Sequence, residues 1–398
     1  MELNVIHYTH DSKGGIAWYV SNLVRAVTRG EVAVHLVCPS NYEYLDRLRT
    51  DAVDLRISAT IPPLGEVPRI RKLWQMLVQT VIGFRTVCTL RNESTIIHVN
   101  HPGHVVFFSL PLFVGFKLCG FRSVLTVHDV LPHRWFVPRP LRFIERATLR
   151  GIYLSADKLI VHHRGARSLL REEFFISSEK IAVIPHGPFR LSDVPLPYEE
   201  KSTEIVALLL GNLRENKGIH LAIPAVQKLR ADGHPIRLLI AGPVWASERS
   251  YWEGCKALIE VSPAGISVVD RYLEDEEVKD FVTGAHFLLL PYTEYHSQSG
   301  VAALALSNGR SIVATQRGGL SDVLLPARTG ILIEQLTIQS VEQALLQAIR
   351  LGHHGLRKMG QQAFEVYNAS FSWDAIAQEY AELYRKMETS PGQKSNFS

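Results

Sequence analysis

Cysteine and methionine are scarce, with four of each in 398 residues. The cysteines, Cys38, Cys88, Cys119 and Cys255, are scattered, with no CxxC pair and no histidine at ligand spacing. That excludes a zinc ribbon or a disulfide framework read from spacing, and it suits a reducing compartment. Long hydrophobic runs are missing too. The most apolar stretch, Val105 to Phe121, carries Pro111 and Lys117 and is short for a membrane span, so it reads as a buried helix. The opening residues, MELNVIHYTHDSKGG, lack a basic segment followed by an apolar core, so no signal peptide is read there and the expectation is cytoplasmic.

What is present is the composition of a globular protein, 46% hydrophobic and 21% charged, long enough for two domains of ordinary size. The net charge of +4 is unevenly spread: residues 1–198 sum to +8 and the remainder to −4. A basic first half implies an anionic partner there. Nucleic acid, anionic lipid and a phosphorylated acceptor all fit at this point.

Short apolar runs alternate with helical stretches in both halves. LNVIHYT, VAVHLVCP, STIIHVNH, SVLTVHDV, KLIVHH and KIAVIPHG read as strands in the first; EIVALLLGNL, IRLLIAGP, ISVVDRYL, HFLLLPYT, RSIVATQR and GILIEQ read as strands in the second. Continuous apolar strands separated by helices are the pattern of parallel sheets covered on both faces. The expected fold is α/β, two doubly wound Rossmann-like domains facing a central cleft. The expected boundaries are residues 1–186 and 204–370, joined by a Pro-rich linker at 187–203. A helix over 371–388 is expected to return to the first domain, followed by a disordered tail at 389–398.

Five segments, in order, resemble the family four retaining glycosyltransferases. They are IHYTHDSKGGIAWYVSNL, TVHDVLP (Thr126–Pro132), KIAVIPHGPF (Lys180–Phe189), LLLGNLRENKGIHLAIPAV (Leu208–Val226) and HFLLLPYTEYHSQSGVAALALSNGRSIVATQRGGLSDVL (His286–Leu324). The last is similar to the family's donor-sugar segment in the "SQSG" form seen in polysaccharide assembly. The resemblance covers nearly the whole chain. It implies the GT-B fold, transfer of a sugar from a nucleotide diphosphate donor such as a UDP- or GDP-sugar, and no bound metal or other cofactor.

Arg214 and Lys217 lie three apart in the turn between a strand and a helix, with Gly211 and Gly218 flanking them. A departing nucleoside diphosphate gains negative charge, and two cations at a helix start stabilise it, with the helix dipole adding to them. The bland alternative is a solvated charged loop. Gly14 and Gly15 open a helix after a strand, as a plain turn or as a phosphate- or acceptor-facing loop, with Lys13 beside them. His128 follows the strand SVLTV; the resemblance places it near the reacting sugar, where it contacts a sugar hydroxyl, and the other reading is a structural histidine. Asp129 next to it serves an acceptor hydroxyl or caps a turn. His7, His98, His101, His162 and His163 also stand at strand ends.

Family members usually carry two glutamates separated by seven residues; here those positions are His296 and Leu304. Glu294, Ser297, Gln298 and Ser299 offer substitutes, and backbone amides of Ser299, Gly300 and Val301 offer a diphosphate cradle. Gly318, Gly319 and Asp322 resemble the Gly-Gly-x-x-Glu element, as structural support or as nucleotide contacts.

Residues 133–151 set Arg139, Arg142, Arg146 and Arg150 beside Trp135, Phe136, Leu141, Phe143 and Ile144. With RIRKLW (Arg69–Trp74), this reads either as a surface that rests on anionic lipid, making the protein peripheral at the inner membrane face, or as an amphipathic helix with a wet arginine face. No nucleic-acid reader motif is present. The leading expectation is a glycosyltransferase acting on a lipid-linked or saccharide acceptor. A nucleotide-sugar epimerase and a non-catalytic sugar-nucleotide-binding homologue stay open beside it.

Overall fold

A computed structural model describes residues 3–30, 32–51, 54–65, 68–91, 96–101, 106–132, 135–198, 203–325 and 328–389. Part of the predicted linker, the tail beyond residue 389, and His133 and Arg134 of the basic segment lie outside the described residues. The chain divides into two compact units: Met1–Gly187 with Trp373–Ser398, and Pro188–Ser372.

The first unit runs β1 (Leu3–Tyr8), α1 (Gly14–Arg29), β2 (Val32–Pro39), α2 (Leu45–Asp51), β3 (Leu55–Ile61), α3 (Arg69–Thr89), β4 (Ile96–Val99), α4 (Val106–Leu118), β5 (Arg122–Thr126), α5 (Arg142–Ser155), β6 (Lys158–Val161), α6 (Arg164–Phe174) and β7 (Ile181–Val183). Its seven strands are parallel, in the order β3-β2-β1-β4-β5-β6-β7. The order reverses between β1 and β4, so the loops leaving those two strands diverge at their C-terminal ends, where open α/β sheets bind ligands. His7 and His98 are register partners there.

The second unit runs β8 (Ile205–Leu210), α7 (Ile219–Ala231), β9 (Ile236–Ala241), α8 (Arg249–Val261), β10 (Ile266–Val269), α9 (Asp275–Gly284), β11 (Phe287–Leu290), α10 (Gly300–Ser307), β12 (Ser311–Thr315), α11 (Leu320–Val323), β13 (Gly330–Ile333) and α12 (Ile338–Ser370). Six parallel strands take the order β10-β9-β8-β11-β12-β13, with the reversal between β8 and β11. Side chains alternate across the sheet. Ala207, Leu209, Phe287 and Leu289 face one apolar layer, while Leu208, Leu210, Leu288 and Leu290 face the other. Burial on both faces is why these strands read as unbroken apolar runs; each fully buried leucine contributes roughly 1.5–3 kcal/mol.

The last helix, α13 (Trp373–Thr389), belongs to the first unit. Tyr380, Tyr384 and Met387 are buried on it, and a Cβ added to Gly187, where the first unit ends, would run into the Trp373 ring.

Two features differ from the sequence reading. The strand β3 was not among the expected runs; its residues are mostly half-exposed and it sits at the sheet edge. Residues 188–198, part of the expected linker, are fastened along the second unit. Asn308 bonds Phe189 and Leu191, and the fully buried Arg310 donates to the carbonyls of Leu196 and Pro197 as well as Thr283, Val282 and Ala285. A Pro-rich strap has few N–H groups of its own, so its carbonyls need an outside donor.

Candidate functional site

In the second unit the loops after β8 and β11, the strands that flank the reversal, meet each other. Glu215–Lys217 form a single 3₁₀ turn whose C-cap, Gly218, has φ +68°. A Cβ at Gly218 would lie 2.0 Å from the Pro291 carbonyl oxygen, so only glycine lets the two loops touch. The Thr293 amide then donates to the Asn216 carbonyl, 3.0 Å away.

This closure buries Lys217, whose Nζ donates to Tyr292 Oη at 2.6 Å and stands 4.0 Å above that ring and 5.5 Å from the ring of Tyr295. Burial, with Arg214 adding to it, pushes the ammonium well below the usual lysine range. Among the described residues no carboxylate partners this cation. Arg214 Nε, Asn216 Oδ1 and Gln298 Oε1 are likewise buried polar atoms without a hydrogen-bond partner. Such atoms are costly and concentrate where a ligand completes them.

Across the loop, Ser299 caps α10 by accepting from the Ala302 amide, and its carbonyl accepts from Ala303. The amides of Gly300 and Val301 are the remaining first-turn donors, and they lie at the positive end of the helix dipole.

In the first unit six histidines and three tyrosines crowd the C-terminal strand ends. Tyr384 Oη meets His98 Nδ1 at 2.6 Å and His7 Nε2 at 3.3 Å, and His98 Nε2 meets Thr126 Oγ1 at 2.7 Å. Tyr19 places its ring against His128, His162 and His186. Burial lowers His7 and His128 to about 3 and His186 to about 4, and holds His98 and His162 well below the usual histidine range. His101 goes the other way: against its burial, Asp11 at 2.9 Å raises it, helped by Asp129. His128 is half-buried as a residue, while its Nε2 is itself buried and has no hydrogen-bond partner.

The profile described as "Glycosyl transferase 4-like domain" matches residues 14–187, and the one described as "Glycosyl transferases group 1" matches residues 204–350. The chain belongs to the GT-B glycosyltransferases of family four. The chain is 28% identical over 258 residues to a D-inositol 3-phosphate glycosyltransferase of Corynebacterium urealyticum, covering 60% of this chain and 58% of that protein. It is 22% identical over 319 residues to an alpha-maltose-1-phosphate synthase of Mycolicibacterium smegmatis, covering 74% and 79%. A glycogen synthase of Thermus thermophilus matches at 28% over 181 residues, 46% of this chain and 38% of that protein. The chain thus spans less than two thirds of the length of two of these three relatives. In fold it is similar to a sucrose-phosphate synthase from Thermosynechococcus elongatus, with TM-score 0.74, 21% identity and coverage of 98% of this chain and 100% of that one. It is also similar to Anabaena HepE in complex with UDP and glucose, with TM-score 0.72, 15% identity and coverage of 96% and 100%.

Of the residues singled out from the sequence, the fold brings Arg214, Lys217, Ser297, Gln298, Ser299, Gly300 and the Gly318–Gly319 turn into one cluster of loops. Gly319 donates its amide to the Ser297 carbonyl, and a Cβ there would strike Gln298 Oε1, so this glycine makes room for the loop opposite. Val301 stands beside Gly211: a Cβ built on that glycine would meet the Val301 side chain at 3.4 Å. Glu294 and Asp322 are exposed, as is His296, while Leu304 is buried in the apolar layer. In the first unit the Gly14 amide already donates to a Glu43 carboxylate oxygen at 3.1 Å, whereas the space above Gly15 is open. His163 caps α6 by accepting from Ala166.

Sequence reasoning missed Tyr292, Tyr295 and Asn216 around the lysine, and Tyr19, Tyr380 and Tyr384 around the histidines. A tyrosine after each strand or at helical spacing carries no local mark; only the folded loops and α13 bring them in.

Proposed function

We propose that this transferase is a retaining enzyme that moves a sugar from a UDP- or GDP-sugar to a lipid-linked or polysaccharide acceptor. The observation that carries the reading is the buried, carboxylate-free Lys217 beside Arg214, whose Nε lacks a partner. A nucleoside diphosphate supplies the anionic oxygens that these groups and the Gly300 and Val301 amides lack. Charge growing on the leaving diphosphate strengthens those contacts in the transition state, so they lower the barrier. His128 Nε2 takes a hydroxyl of the sugar as the ring becomes oxocarbenium-like.

HepE, of the same fold, was solved with UDP and glucose, which makes UDP the first base to try. The test is thermal unfolding against UDP, GDP, ADP, dTDP and their sugar conjugates. A ligand at about 100 times its Kd adds roughly 2.7 kcal/mol, and that gain is expected to fall by half or more in Lys217→Ala. A flat response to all of them favours the non-catalytic reading, which the buried Leu304 and exposed His296 at the two usual glutamate positions support. Conversion of the donor sugar without an acceptor favours the epimerase.

The lipid-borne acceptor has its own support. Glu145, buried on α5, accepts from the Phe136 and Val137 amides and holds that loop with Phe136 outward; Phe143 is 66% exposed. On α3, Ile70 is 83% and Trp74 66% exposed, and that helix carries no acidic residue. Arg146 and Arg150 bond Glu173 and Phe174 at the end of α6 while Arg150 stays exposed and Arg146 partly so, and Arg142 lies over the Trp135 ring. Among the described residues no helix is long and apolar enough to cross a membrane, so the proposed contact is interfacial. Co-sedimentation with phosphatidylglycerol-containing vesicles is expected, weakened by salt and by Trp74→Ser with Phe143→Ser. Equal behaviour with neutral vesicles, or no binding to either, removes the lipid surface from the proposal.

A further inference from the structure

We propose that His162 is a positioning residue that fixes the tautomer of His128, so that His128 offers the sugar a bare Nε2 lone pair. This rests on the reading of His128 given above and adds the direction of its hydrogen bond.

The chain of bonds begins at a group with no choice. The Ile184 amide donates to the Val161 carbonyl, which sets Ile184 beside the end of β6. The Ile184 carbonyl lies 3.0 Å from His162 Nδ1, and a carbonyl oxygen only accepts, so that nitrogen carries the proton. His162 is 5% exposed and its ring neighbours are His128, His186 and Tyr19, with no carboxylate against it among the described residues. A second proton has nothing to pair with in that surrounding, and the ring stays neutral. Its Nε2 is therefore a lone pair, and it faces His128 Nδ1 at 3.2 Å. His128 Nδ1 must donate into it. The proton of the neutral His128 ring is then spent on the inner side, and Nε2 is left as an acceptor.

The consequence is chemical. A bare Nε2 accepts from a hydroxyl; it does not donate to a phosphate oxygen or protonate a leaving group. His128 is thereby assigned to a sugar hydroxyl, with no part as a general acid. His162 does this without touching substrate, as outer partners of a functional imidazole do elsewhere.

The test needs no substrate. The full chain, labelled with ¹⁵N at histidine, is read by long-range ¹H–¹⁵N correlation, which reports which ring nitrogen bears the proton. The His128 signals are assigned by their loss in His128→Asn. Neutral imidazole side chains in water favour Nε2–H, so Nδ1–H at His128 is the diagnostic result expected. In His162→Gln the amide oxygen takes the place of Nε2 as acceptor, and Nδ1–H is expected to persist. In His162→Phe no acceptor remains, and the population is expected to shift to Nε2–H. A wild-type His128 that is Nε2–H or cationic overturns the proposal, as does a folded His162→Phe that keeps Nδ1–H. Should His162→Phe fail to fold, the wild-type and His162→Gln spectra still decide. Failure of the sugar-transfer reading is separate: it shows as absence of nucleotide stabilisation while the tautomer stands.

Discussion

At the scale of single residues, Lys217 is held in a place that disfavours its own charge. Its folded-state pKa lies below the ordinary value of 10.5, so between the two the unfolded chain holds a proton that the folded protein has shed. Stability therefore rises with pH across that window, whereas diphosphate affinity, which needs the ammonium, falls. Lys217→Met is expected to flatten the stability slope, leave folding at neutral pH intact, and weaken UDP by about 1.5–3 kcal/mol, roughly 10- to 150-fold in Kd. Urea midpoints against pH and calorimetric titration with UDP check the two halves; unchanged UDP affinity would separate Lys217 from the leaving group. Arg214 and Lys217 were legible in the sequence because turn, cations and glycines fall within eight residues. Their companion Tyr292 was not, because 75 residues separate it from Lys217 and only the reversal between β8 and β11 closes that distance.

At the scale of elements, α13 is the piece whose role exceeds its amphipathic pattern. Apolar spacing predicts the helix; that its tyrosines are polar partners of β-strand histidines is decided by where the helix lands. Tyr384→Phe leaves a ring nitrogen of His98 without its 2.6 Å partner and removes the weaker contact to His7. With both histidines fully buried, the expected cost is about 1–3 kcal/mol, measured as a lowered urea midpoint with an unchanged slope. A neutral outcome means that these rings repack without the hydroxyl. Strand β3 shows the converse: at an edge, half-exposed, it lacks the continuous apolar run that made the inner strands readable.

At the scale of the whole molecule, the two units carry different acid sensitivities. His7, His98, His128, His162 and His186, all in the first unit, have folded-state values below 6.5. As pH falls below 6.5 the unfolded chain takes up protons that the folded unit refuses, so stability present above 6.5 is lost on the way down towards 3–4. Each such group costs up to about 1.4 kcal/mol per pH unit. His101, raised by Asp11, opposes this but is one against five. The second unit has a comparable histidine in His286, lowered to about 4. Calorimetry between pH 7 and about 4 is expected to resolve two transitions, with the first unit's dropping sooner and UDP raising the second unit's alone. Coincident transitions at every pH would mean that the units unfold as one.

The sequence by itself determined the alternation of strands and helices, the class of fold, and the short motifs in which glycines and cations adjoin. These are local properties, set by residue periodicity and by which backbone angles a residue tolerates. The tertiary structure decided what depends on separations of tens to hundreds of residues. It turned residues 188–198 from spacer into strap, tied Arg146 and Arg150 to the end of α6, and put Glu43 on the Gly14 amide. It also ordered the bonds from Ile184 through His162 to His128. A hydrogen bond's direction depends on every partner along its chain, and only the packed sheet brings those partners together.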